Sequence, residues 1–325
     1  MKIAFVAPIE HFKLENPDTI IESNGLKIMH GSKAFPLIQE HEAFCDALGI
    51  ITLRTIQTSY VTYYEGDNIF DSTIYDTPGK ICERIVNSLF SMFNGLWYVK
   101  DCSVFISAGY THICGTEKTA SCSKPTITSD SLSTFKSVVF TEEEIVKAIS
   151  IFNKTHPYLV VEENNITPAK LSDGGIAGYE NEVRTSDNSR IGRGLMFLYN
   201  VRSNSNLPYR IAFSVAILEC LFTSSNGELT HQVSERSAFY LGGPSSEKQS
   251  NYDLVKSCYG VRSKFVHGDR IKNKREDLLV LSSKMDSFLR SVLIKAINAP
   301  DVFILSDSEG DKKKFENHFK NLLFN

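Results

Sequence analysis

The chain has 325 residues, of which 42% are hydrophobic, 22% charged and 11% aromatic, with a formal net charge of −3. At roughly 100–200 residues per domain, this length points to about two globular domains. With 19 Gly and 10 Pro in the whole chain, collagen-like and low-complexity readings are excluded, and no apolar run approaches the ~18 residues of a bilayer span.

The opening segment, MKIAFVAPIEHF, has one lysine and a short apolar stretch before polar residues return. It reads as a first β-strand and not as a signal peptide, which predicts a cytoplasmic protein with no membrane partner. Residues 2–8, 26–29, 51–57 and 60–64 are short, rich in β-branched or aromatic residues and separated by turn formers, the pattern of strands. Thr77-Pro78 opens a helix in which Ile81, Ile85, Leu89 and Met92 recur at helical spacing up to Asn94-Gly95. Residues 96–99 and 104–106 read as further strands. Thr141 and Glu144 form a capping box that starts a second helix, expected to stop before Pro157. Glu142, Glu143 and Glu144 are first-turn acids facing the helix dipole, not a catalytic carboxylate pair.

Seven cysteines, at 45, 82, 102, 114, 122, 220 and 258, are odd in number and scattered, which agrees with reduced thiols and not with a disulfide framework. The densest patch, His112, Cys114 and Cys122, lacks a C-x2-C pair and a fourth ligand, so no metal site is expected there. No cofactor motif is present either: there is no phosphate-loop, Gly-x-Ser-x-Gly or His-Glu-x-x-His pattern.

These readings divide the chain into an α+β sensor or regulatory domain over 1–161, a linker or long loop over 162–189, and a helical domain over 190–325. Three glycines, a proline and many polar groups leave 162–189 little to bury. Residues 1–189 carry 15 Lys and Arg against 24 Asp and Glu, a net of −9, whereas 190–325 carry 20 against 14, a net of +6. The division points to a polyanion met by the second half alone, although a basic tail at Lys312-Lys313-Lys314 explains part of it. After Arg190, residues 191–202, 207–224, 228–241, 247–267, 275–299 and 312–324 each carry apolar positions three and four apart, the pattern of a helical bundle.

One stretch stands apart: Tyr259-Gly260-Val261-Arg262-Ser263-Lys264-Phe265-Val266-His267-Gly268. Five residues on a helix turn by about 500°, so Arg262 and His267 lie about 140° apart and ~7.5 Å along the axis. They share a groove within one chain only if His267 swings out of the last turn, which Gly268 as a terminating residue would allow. The ordinary alternative is a basic helix end closed by glycine, worth ~0.3–1 kcal/mol of stability.

The segment resembles the Arg-x(4–6)-His motif of HEPN domains, and its wording is most similar to the ApeA-like subgroup. The upstream runs Arg210-Ile-Ala-Phe, Ile217-Leu-Glu219-Cys-Leu-Phe222 and Glu235-Arg236-Ser-Ala-Phe agree with it, and the likeness spans residues 195–298. The resemblance implies an all-α HEPN bundle acting as a metal-independent endoribonuclease, active as a homodimer with the two motifs facing each other. Arg262 and His267 are then catalytic, in bacterial anti-phage defence or a toxin-type stress response, with RNA as partner and an unknown trigger ligand or protein acting on the N-terminal half. Where the family has Asn, Asp or His after the arginine, this chain has Ser263. A non-catalytic nucleotide-binding or dimerisation module is the alternative.

The supporting residues are Ser263, Tyr259 and Glu219. Glu219 either orients the motif or pairs with Arg236, and pairing with Arg236 is the favoured reading because buried charges pair. Tyr259, three residues before Arg262, shares its helix face and either stacks a base, positions Arg262 or packs in the core. Lys264, Arg270, Lys272 and Lys274 are the candidate RNA contacts.

Overall fold

A computed structural model describes residues 1–70, 76–124, 126–159, 166–170, 176–181, 189–224, 227–305 and 308–324. The first half opens with four strands, β1 (Lys2–Ile9), β2 (Phe12–Leu14), β3 (Ile21–Ser23) and β4 (Leu26–His30). Helices α1 (Gly31–Gln39) and α2 (Glu42–Thr58) precede β5 (Tyr60–Asp67), and α3 (Pro78–Asn94) runs into a 3-10 turn over Gly95–Tyr98. Next come β6 (Ala108–Ile113), β7 (Thr119–Ser123), β8 (Val138–Phe140) and α4 (Glu142–Leu159).

Strands β3, β4, β5, β1, β6 and β7, in that spatial order, form one sheet whose neighbours all run antiparallel. Strand alternation gives β1 two characters. Ala4 and Val6 face a small core closed by Ile38, Phe44, Leu48 and Ile56 of α1 and α2. Phe5, Ala7 and Ile9 face a larger core with Cys82, Val86 and Leu89 of α3. At Gly31 a Cβ would sit 1.6 Å from the Ile56 carbonyl oxygen, so only glycine lets α1 start against the end of α2.

The sequence departs from this architecture at four places. Residues 51–57, predicted as a strand, belong to α2, where Gly49 at φ 70° breaks the helix into two segments. Ile50 and Ile51 are exposed while Ile56 is buried, so one-sided packing overrides the β-branched composition. Residues 96–99 form the 3-10 turn that carries Trp97 into the core, and 104–106 contribute only an isolated bridge between Phe105 and Glu10. Helix α4 passes through Pro157 to Leu159, giving up the one backbone hydrogen bond that a proline nitrogen cannot donate. The capping box forms as read: the Thr141 N–H donates to Glu144 at 3.0 Å and the Glu144 N–H to Thr141 Oγ1 at 3.2 Å.

Within 162–189, β9 (Ile166–Lys170) and β10 (Ile176–Asn181) pair as an antiparallel hairpin; the rest of that predicted linker lies outside the described residues up to Ser189. The second half is helical: α5 (Arg190–Arg202), α6 (Leu207–Phe222), α7 (Leu229–Leu241), α8 (Ser245–His267), α9 (Arg275–Asn298) and α10 (Glu309–Phe324). An antiparallel-sheet region followed by helices matches the predicted α+β and all-α layout. Helix α6 is the central one, buried through Ile211, Val215, Leu218 and Phe222, with α5, α7, α8 and α9 around it.

The two halves share one apolar core that runs from Phe5 to Phe319, and their seam is polar and buried. Trp97, 1% exposed, donates its indole N–H to Asp286 of α9 at 2.9 Å. Asp286 also pairs with Arg290, whose Nε donates to the Trp97 carbonyl at 2.6 Å. Arg202 of α5, 2% exposed, donates to Asn94 Oδ1 at 2.6 Å and to the Cys102 carbonyl at 2.9 Å. Arg210 reaches Ser129 at 2.8 Å, and Ser282 donates to the Ser131 carbonyl at 2.7 Å.

Candidate functional site

Helix α8 ends at a clean stop. Gly268 takes φ 77°, a left-handed conformation that favours glycine, and its N–H donates to the Lys264 carbonyl. The Asp269 N–H reaches the same carbonyl at 2.9 Å. The helix therefore runs through His267, which sits in its last turn and does not swing out. No hydrogen bond or ion pair joins His267 to Arg262 among the described residues.

Three of the predicted residues do come together. Arg262, half-buried, places Nη2 3.3 Å from Glu219 Oε2 on α6. Tyr259, 6% exposed, lies one turn earlier on the same face. Burial pushes its hydroxyl pKa up, and the nearby Glu219 charge pushes it further. Tyr259 Oη and Glu219 Oε1 are both buried without a hydrogen-bond partner. The arginine thus has a carboxylate holding it and a phenol behind it.

The favoured pairing of Glu219 with Arg236 is not the one formed. Arg236 instead donates to Glu316 of α10 at 2.7 Å, to the Phe222 carbonyl and to Ser224, with its guanidinium near the Phe319 ring. It lies one helix away from the motif, tied to the chain's last helix, which leaves Glu219 for Arg262. Sequence spacing alone does not distinguish two arginines that both reach α6.

The remaining residues lie on the solvent side. Ser263 and His267 are exposed, and Lys264 is partly exposed beside them. Arg270, Lys272 and Lys274 are exposed in the loop between α8 and α9, and none forms an ion pair among the described residues. Ile271 packs back against the core and anchors that loop. Phe265 meets Tyr209 edge-on at 6.1 Å, which fixes the end of α8 on α6. Two surface hollows of about 520 and 490 Å³ lie elsewhere, one between α7 and α10 and one beside the start of α9, and neither includes Arg262 or His267.

A second constellation has no sequence signal. A ring nitrogen of His41, a carboxylate oxygen of Glu65 and the Cys114 sulfur lie within 4.8 Å of one another. The patch read from the sequence does not assemble: Cys114 packs toward the α1–α2 face, whereas Cys122, paired in register with Gly109, packs on the α3 side. Residues 41, 65 and 114 meet only because β1 sits between β5 and β6.

No family model, curated protein or solved structure matches this chain. No described helix is long and apolar enough to cross a membrane.

Proposed function

We propose that the chain is an endoribonuclease whose catalytic pair is Arg262 and His267, acting as a twofold dimer through the helical half. The reading rests on the resemblance of the α8 segment to HEPN motifs. The observation that carries it is the end of α8 itself: an exposed histidine at an open helix terminus, an arginine held by Glu219, and a loop of unpaired basic residues directly beyond Gly268.

The chemistry asks little more of the protein. RNA supplies its own nucleophile, so the site must take the 2′-hydroxyl proton, return one to the departing 5′-oxygen and stabilise charge at phosphorus. Histidine titrates near neutral pH and suits both transfers, worth about 10²–10⁴-fold. A guanidinium grips two phosphate oxygens at once and strengthens its hold as charge develops. Because α8 places the two residues about 140° apart, a second chain supplies the complementary histidine across a shared cleft. Glu219 orients Arg262, and Tyr259 packs behind it. Ser263 provides a weaker polar group than the usual family residue.

The N-terminal half is the control element in this proposal, with a ligand or protein trigger felt across the buried seam, in defence or stress-induced arrest. A second reading, a non-catalytic nucleotide-binding or dimerisation module, draws on the ion pair that neutralises Arg262 within the chain. Incubating the full chain with RNA and with its 2′-O-methyl counterpart separates the two. The nuclease cuts only the former and leaves 2′,3′-cyclic phosphate ends. Intact RNA together with bound nucleotide supports the module.

A further inference from the structure

The sheet register places a small residue, Ala4, beside the α1–α2 turn. In one row across three strands, Glu65 of β5, Ala4 of β1 and His112 of β6 stand side by side. Ala4 is the smallest of the three and fully buried, so the space above it is left to its neighbours. Cys114 follows two residues after His112 on the same side of the sheet, held to β1 by its N–H to the Lys2 carbonyl at 3.0 Å. From above, His41 at the head of α2 descends into this space. Its ring lies 5.3 Å from that of His112, which in turn stacks on Phe44 at 5.5 Å.

We propose that His41, Glu65 and Cys114 bind a zinc-class divalent cation, with the fourth position open to water or an added ligand. A nitrogen, an oxygen and a sulfur donor in one place select for a borderline transition metal over magnesium or calcium. A tetrahedral zinc with ~2.0–2.3 Å bonds needs donors about 3.3–3.8 Å apart. His41 Nε2 and Glu65 Oε2 already stand 3.6 Å apart. The sulfur is within 4.8 Å of both.

Two observations point to a ligand independently of that spacing. His41 Nε2 is a buried nitrogen with no hydrogen bond, and so is Nδ1 of His112, itself 2% exposed. The carboxylate is also held from behind: Tyr63, fully buried, donates its hydroxyl to Glu65 Oε2 at 2.7 Å, and Lys2 donates to Oε1 at 2.8 Å. Outer partners of this kind orient a ligand before the metal arrives. Binding releases the Cys114 thiol proton to solvent, and the thiolate and carboxylate then balance the two positive charges.

Bound there, the metal ties the α1–α2 turn to β5 and β6 and gives the N-terminal half a ligand-dependent rigidity. This site stands apart from the RNA-cleavage reading and holds whether or not that reading does. The test uses the full chain titrated with cobalt(II) as a spectroscopic stand-in for zinc. The wild type is expected to take up one equivalent, with tetrahedral visible bands and a near-ultraviolet thiolate-to-cobalt charge-transfer band. Cys114→Ser loses the charge-transfer band, and Cys122→Ser keeps it. His41→Ala lowers affinity by more than ~100-fold, whereas Tyr63→Phe, an outer partner, lowers it by ~10-fold. Zinc raises the thermal midpoint of the wild type in a concentration-dependent way. A wild type without the charge-transfer band, or a band that survives Cys114→Ser, overturns the proposal. If Cys114→Ser does not fold, the wild-type spectrum and the His41→Ala titration decide the matter alone.

Discussion

Arg202 offers a direct measure of how firmly the helical half is bonded to the sheet half. Its guanidinium is buried and donates three hydrogen bonds across the seam, two to Asn94 and one to the Cys102 carbonyl. Replacing it by methionine keeps most of the apolar stem but strands buried acceptors, at about 1–3 kcal/mol for each unsatisfied group. Removing a buried cation with no carboxylate bonded to it returns part of that loss. The net expectation is about 3 kcal/mol, a fall in Tm of about 4–5 °C for a chain of this size. The assay is thermal and urea unfolding followed in parallel by far-ultraviolet circular dichroism, dominated by the helices, and by fluorescence of Trp97, the only tryptophan in the chain. Because Trp97 sits in the seam, both signals should move together in wild type and variant. A loss below about 1 kcal/mol, or a wild type whose tryptophan transition precedes the helical one, would refute the view of one shared core.

The same seam titrates. Burial, reinforced by the charge of Asp101, raises the Asp286 pKa from 3.8 to about 6 against the pull of Arg290 and Trp97. The folded pKa exceeds the unfolded one, so the protonated form favours the fold: this contribution is complete below 3.8 and is lost as pH rises through about 6. Trp97 emission should therefore change with a midpoint near 6, and Asp286→Asn should abolish the step; an unchanged titration in that variant contradicts the assignment. Glu219→Gln keeps the shape of the arginine's partner but removes its charge. If Glu219 positions Arg262, cleavage falls by about 10-fold in Glu219→Gln, while the same change in an Arg262→Lys background adds little further, and independent, additive losses would show that the two residues act separately. Charge reversal of Arg270 and Lys272 should weaken RNA binding and flatten its salt dependence, since each phosphate contact releases counterions. Unaltered affinity in the double variant would move the RNA away from the α8–α9 loop.

Elements fixed by local physics were legible in the sequence, and those fixed by long-range packing were not. The Thr141 capping box, the Pro78 helix start and the Gly268 stop each follow from groups within a few residues of one another, and each forms as expected. Residues 51–57 carry a β-branched run, but their conformation is decided by which face Ile56 buries against the sheet. Residues 96–99 look like a strand until Trp97 finds Asp286, 189 positions away. The motif on α8 was visible because it is contiguous. The partner of its arginine was not, because Arg236 of α7 and Arg262 of α8 both reach α6, and only the seat of α10 decides which of them meets Glu219. The His41, Glu65 and Cys114 constellation is the extreme case, since its members come from a turn and two strands brought together by register alone.

The central claim is that Arg262 and His267 cut RNA together across a dimer. The most direct measurement is the cleavage rate of purified full-length chains mixed in defined ratios, wild type with Arg262→Ala or His267→Ala, alongside each variant alone. Each variant alone should be inactive yet folded, because His267 is exposed and Arg262 is only half-buried. Adding either variant to wild type should lower the rate by more than dilution. Full cleavage by the His267→Ala chain, or by a wild-type monomer, would contradict it.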